Sequence, residues 1–214
     1  MKFINFAKYG DFDAIASART QHFAYADGLR AGGALAIGGP LLDEQGRRIG
    51  LLFVYEALSK DAALDFAHED PFTRANALSG YEINEFHPRA VNLDLLIQAN
   101  RSADQSGEAN TPRLFANYTK YGRDKSRLAT VRPAHWAYDR TLERAGKLAL
   151  AGPFASDEGG LFVYNALDRA EALAYRERDP FALEGVVANY ELLEWLVEGV
   201  NPELLQPLAR SAMS

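Results

Sequence analysis

A chain of 214 residues, 48% hydrophobic and 24% charged, has the profile of a globular protein with a real core, arranged as one ordinary domain or two small ones. Its formal net charge of −6 offers no basic field to phosphate backbones, and its Lys and Arg are scattered, so nucleic acid is not an expected partner. With no cysteine, disulfides, thiolate nucleophiles and Cys-ligated metal centres are excluded and a cytoplasmic setting is the default; neither an export signal nor a membrane-spanning run of about 18 apolar residues is read.

Phe3 to Lys8 is short and aromatic-rich and ends at Tyr9-Gly10, which predicts a strand. Asp13 to Arg30 carries Ile15, Ala18, His22, Tyr25 and Leu29 at three- and four-residue spacing, which predicts a helix closing at Gly32-Gly33. Ala34–Leu41 and Ile49–Ala57 are apolar runs around Asp43-Glu44-Gln45-Gly46 and read as a hairpin. Ser59 opens a second helix, which Asp70-Pro71 ends, because proline disfavours helical φ/ψ in the residue before it. Tyr81–Phe86 supplies a fourth strand.

The same series then recurs. Phe3 to Gly10 lies over Phe115 to Gly122, with Asn, Lys, Tyr and Gly in register. Arg19-x-x-His22 lies over Arg132-x-x-His135, and Gly33–Pro40 over Gly146–Pro153. After a four-residue loss in the second hairpin, Asp70-Pro71-Phe72 lies over Asp179-Pro180-Phe181. This predicts two repeats, 1–97 and 113–214, joined by a polar linker at 98–112. The order β-α-β-β-α-β in each is ferredoxin-like, an α+β fold. Each unit leaves one sheet face bare, so the expectation is two repeats packed sheet to sheet as an intramolecular pseudo-dimer, with further self-association left open.

R-x-x-H in the first helix, G-x-L-x-x-x-G-P in the second strand and D-P-F after the second helix resemble the YCII-related proteins over most of each copy. The resemblance implies a dimeric α+β barrel related to muconolactone isomerase. It also implies an active site on a His-Asp pair, acting on small molecules that include chlorinated aromatic intermediates. Residue by residue, the pairs it implies are His22 with Asp70 and His135 with Asp179, although most members carry one copy per chain.

A neutral imidazole fixed by a carboxylate takes up a proton near neutral pH, which is the functional reading of each pair. The structural reading is a histidine that bridges helix and sheet beside an aspartate that merely ends a helix. Arg19 and Arg132, one turn before the histidines, suit a substrate carboxylate or phenolate, or else pair with Asp11 and Asp124. Tyr25 and Tyr138, one turn after, offer a hydroxyl to an anion or fill an interface. Gly39-Pro40 and Gly152-Pro153 let backbone approach a ligand or another chain segment. His68 and His87, which do not recur, are set aside as surface residues. No nucleotide motif or metal-ligand spacing is present, so no cofactor and no metal are expected. The sequence supports a cofactor-independent lyase, isomerase or hydrolase with a small-molecule ligand in each repeat, or alternatively a non-catalytic ligand-binding or interaction module.

Overall fold

The computed structural model describes residues 1–100 and 112–206. Repeat 1 comprises β1 (Lys2–Tyr9), α1 (Phe12–Ala31), β2 (Leu35–Leu42), β3 (Arg48–Glu56), α2 (Lys60–Glu69), a single-turn α3 (Pro71–Arg74) and β4 (Leu78–Phe86). The two-residue β5 (Ala90–Val91) and α4 (Leu93–Ala99) follow. Repeat 2 comprises β6 (Leu114–Tyr121), α5 (Lys125–Arg144), β7 (Leu148–Pro153), β8 (Gly159–Asn165), α6 (Arg169–Glu177), α7 (Pro180–Leu183) and β9 (Val187–Trp195). The fold is α+β, two ferredoxin-like units in one antiparallel sheet.

Local chemistry sets these boundaries. Asp11 and Asp124 cap α1 and α5 by accepting from backbone N–H groups of the first turn. Ser59 caps α2 in the same way, through Ala62 N. After α1, Gly33 takes φ +73°, a left-handed turn that glycine adopts without steric cost, and Gly146 repeats it at +67°. Strand β4 begins three residues before the expected Tyr81. Leu78-Ser79-Gly80 lacks apolar alternation, and it is pairing with Lys8 and Tyr9 of β1 that holds it in the sheet. Helix α4 runs to Ala99 because Leu95, Leu96 and Ala99 bury its inner face, so it takes in the start of the expected linker; residues 101–111 of that segment lie outside the described residues.

The strand order is β4-β1-β3-β2-β9-β6-β8-β7-β5. The repeats join where Leu41 pairs with Trp195 and Leu42 with Glu194. They meet again beyond β4, where His87 N donates to Pro153 O, Arg89 N to Ala151 O and Ala155 N to Glu85 O, and β5 pairs with β7. The sheet therefore closes on itself. Alternation along β1 sends Ile4 and Phe6 inward and Phe3 and Ala7 outward under the helices of repeat 1. In β6, Leu114, Ala116 and Tyr118 point inward and Phe115 outward. The interior is built from both repeats, with Phe6 stacked on Tyr118 at 4.4 Å and Trp195, Leu96 and Leu205 fully buried in it. Among the described residues no helix is long and apolar enough to cross a membrane.

Candidate active site

In repeat 1, Asp70 links α2 to α3, and its carboxylate faces the buried side of α1. There His22 Nδ1 lies 2.9 and 3.0 Å from the two Asp70 oxygens. Asp70 Oδ1 also accepts from Phe72 N at 2.8 Å, which caps α3. The Phe72 ring stacks on the imidazole at 3.9 Å with planes 12° apart, and Phe53 of β3 lies parallel at 5.7 Å. Asp-Pro-Phe thus works as one device: the aspartate fixes the imidazole edge, proline starts the turn and phenylalanine fixes the ring plane. A carboxylate at Nδ1 holds the proton there, which leaves Nε2 of the neutral ring as an acceptor. Nε2 has no hydrogen-bond partner among the described residues and borders a cavity of about 420 Å³. Tyr9, Phe23 and Phe53 form its aromatic wall, and Arg19, Arg30 and Arg48 its cationic one, with Glu198 of repeat 2 at the edge.

Repeat 2 reproduces the device. His135 Nδ1 lies 2.8 and 2.9 Å from the Asp179 oxygens, and Phe181 stacks at 3.9 Å. One turn along α5, however, Asp139 Oδ2 lies 3.2 Å from His135 Nε2. Burial, opposed by the His135 charge, pushes the Asp139 carboxyl up to about 7. Burial alone would lower the pKa of His135, but the Asp179 hydrogen bond and the charges of both aspartates outweigh it and raise it. The cavity here is about 230 Å³, bordered by Tyr121, Arg132, Trp136 and Asp157 together with His87 and Arg89 of repeat 1.

The YCII-related domain matches residues 1–87 and 114–196. The chain belongs to this family. No curated protein matches it. Among solved structures, it is similar to a 5-chloro-2-hydroxyhydroquinone dehydrochlorinase from Burkholderia phenoliruptrix AC1100 in complex with 2,5-dihydroxybenzoquinone. That match has 26% identity over 41% of this chain and 94% of the other, with a TM-score of 0.37. A mutant chlorite dismutase from Candidatus Nitrospira defluvii, in complex with cyanide, aligns over 97% of this chain and 95% of its own, at 14% identity and TM-score 0.56. A putative monooxygenase from Lactobacillus acidophilus NCFM aligns over 92% and 93%, at 13% identity and TM-score 0.51. These last two likenesses establish the shared fold, the dimeric α+β barrel.

Within the two YCII repeats, the arginines expected near the histidines part company. Arg19 lines its cavity and has no ion-pair partner among the described residues, whereas Arg132 donates to Asp157 at 2.9 Å. Neither pairs with Asp11 or Asp124, which serve as helix caps. Tyr25 and Tyr138 are not brought to the cavities: their hydroxyls donate to Phe66 O at 2.9 Å and Tyr175 O at 2.7 Å, pinning α1 to α2 and α5 to α6. The tyrosines that do line the cavities are Tyr9 and Tyr121, which sequence reading used as landmarks of the repeat without giving them a role. Gly39, Pro40, Gly152 and Pro153 lie at the cavity walls, and the close approach that the two glycines permit is to the other repeat. A Cβ on Gly39 would fall 2.0 Å from Leu196 O, and one on Gly152 would fall 2.2 Å from His87 O. His68 is exposed, as expected, but exposed His87 lies at the repeat 2 cavity, where it pairs with Glu85. Asp139 and Asp157 were missed because they do not recur; the register that aligns the histidines sets Asp139 against Ala26.

Proposed function

We propose that this chain is a small-molecule enzyme working by general acid–base chemistry without a covalent intermediate, with His22 and Asp70 as one pair and His135 and Asp179 as the other. The observation that carries this reading is the free Nε2 edge of His22 at the wall of an aromatic, arginine-bearing cavity while Nδ1 is locked by a carboxylate. Nε2 accepts a proton from a carbon or hydroxyl of the ligand and returns it, as a lyase or isomerase step requires, and Asp70 stabilises the imidazolium between these events. Arg19 is placed to hold an anionic group of an aromatic ligand, a carboxylate or phenolate, through its paired N–H donors. Tyr9 adds a neutral hydroxyl, because burial raises its pKa far above the working range.

The chain acts as its own dimer, repeat 1 at 1–97 and repeat 2 at 113–214. Glu198 of repeat 2 completes the first cavity, and His87 and Arg89 of repeat 1 complete the second. The test is a panel of hydroxylated aromatic acids and phenols incubated in D2O and followed by NMR. At least one compound should exchange or convert with the wild type and not with His22→Gln/His135→Gln. Compounds that bind yet remain unchanged in the wild type would establish a binding module instead.

A further inference from the structure

The two cavities are built from equivalent positions carrying different charges. The histidine register sets Ala26 against Asp139; beyond the shortened hairpin, where Gly50 matches Gly159, Arg48 falls against Asp157 and Arg89 against Glu198. In repeat 1, the Arg48 guanidinium is held by the Glu198 carboxylate and Arg30 by Asp27, which leaves Arg19 without a carboxylate among the described residues. Three guanidiniums there face two carboxylates. In repeat 2, Asp157 takes Arg132, and Arg89 lies over the Trp136 ring at 5.0 Å. Asp139 adds a carboxylate beside Nε2, so two guanidiniums face two carboxylates in a smaller space.

We infer that the two sites have diverged in ligand charge: the repeat 1 cavity takes one aromatic carboxylate or phenolate, and Asp139 and Asp157 are the specificity-determining residues that bar the same anion from repeat 2. The inference rests on the proposed anion-binding role of repeat 1. An anion entering repeat 2 has to displace Asp157 from Arg132 and then sit against Asp139, and like charges placed together in a desolvated site oppose binding strongly. Groups on every side enforce this. Asp179 at the start of α7 holds Nδ1, Asp139 of α5 faces Nε2, Tyr121 of β6 is a neutral hydroxyl raised by burial, and His87 is already paired with Glu85. Asp139 also occupies the Nε2 edge of His135, the edge that stays open at His22 among the described residues.

The experiment is a salicylate titration at pH 8.5, where Asp139 is ionised, read by calorimetry for stoichiometry and by histidine-ring NMR for location. The comparison variant is Asp139→Ala/Asp157→Asn; asparagine suits position 157 because its φ is +55°, a left-handed conformation that Asn tolerates. The wild type should bind one equivalent that perturbs His22, with any second site more than about tenfold weaker. The folded double variant should bind a second equivalent that perturbs His135. Two equivalents in the wild type, or one in a folded double variant, overturns the inference and leaves the reading of repeat 1 standing. If neither histidine responds in the wild type, the repeat 1 reading itself fails and takes this inference with it.

Discussion

Asp70 and Asp179 each satisfy two buried donors at once, the imidazole Nδ1–H and the N–H two residues on. Replacing either with alanine orphans both, and a buried unsatisfied group costs about 1–3 kcal/mol. Denaturant midpoints should therefore fall for Asp70→Ala and for Asp179→Ala, while asparagine, which retains an acceptor oxygen, should lose less. A larger loss in the asparagine variants would mean that charge, and not hydrogen-bond satisfaction, dominates. Asp139 gives a prediction of different form. Its carboxyl is raised from the ordinary 3.8 to about 7, and His135 is raised as well. The native state therefore holds more protons than the unfolded chain across that window, and stability falls as pH rises through it. The contribution of Asp139 is fully favourable below 3.8 and lost by about 7; that of His135 is present below 6.5 and lost above it. Thermal midpoints of Asp139→Ala relative to wild type should become more favourable from about pH 5 to about pH 8, and a gap independent of pH would sink the assignment. The four residues themselves were legible because residue type and spacing recur, and the contacts between them were implied by the resemblance to the YCII-related proteins. Asp139 and Asp157 were not, because a search for identities passes over positions where two copies differ, and there the register held the signal.

At the level of elements, the helices and hairpins followed from apolar spacing, caps and turn residues, all local chemistry. The segments after β4 and β9 were harder. Residues 85–91 and 194–200 have little periodicity, and their structure comes from partners in the other repeat, such as Glu198 N donating to Gly38 O. Tyr25 misled for a related reason: three positions on from His22 its side chain lies to one side of the helix face, where it meets the α2 backbone and not the cavity. The glycines separate seam from helix. Gly39→Ala drives a methyl against Leu196 O and should cost at least the roughly 1–3 kcal/mol of overpacking. Gly28→Ala, exposed in α1 with nothing among the described residues within 4 Å of its new methyl, should instead stabilise by about 0.5–1 kcal/mol. Equal and small effects in chemical denaturation would show that the seam yields easily.

For the molecule as a whole, duplication supplies in one chain the two bare sheet faces that a single unit cannot cover. The shared interior is what makes the repeats interdependent: Phe6 stacks on Tyr118, and Trp195 donates from Nε1 to Gly39 O across the seam at 3.3 Å. Either repeat folded alone would leave Ile4, Leu52 and Val54, or Leu114, Leu161 and Val163, facing water. Cooperativity follows from that geometry, because the free energy of burying one face is realised when the other is present. Calorimetry should show one transition whose van't Hoff and calorimetric enthalpies agree. Trp195→Ala, which removes a fully buried side chain from the common interior, should lower stability by about 3–5 kcal/mol without splitting that transition. Two resolved transitions, or a Trp195→Ala loss confined to one of them, would mean that the repeats are stable separately. Cavities lined by both repeats would then have to assemble by docking, and ligand affinity would depend on the equilibrium between open and closed seams. If the single transition holds, both cavities are framed by one closed sheet, and the two sites differ through their side chains and through the shortened second hairpin that carries Asp157.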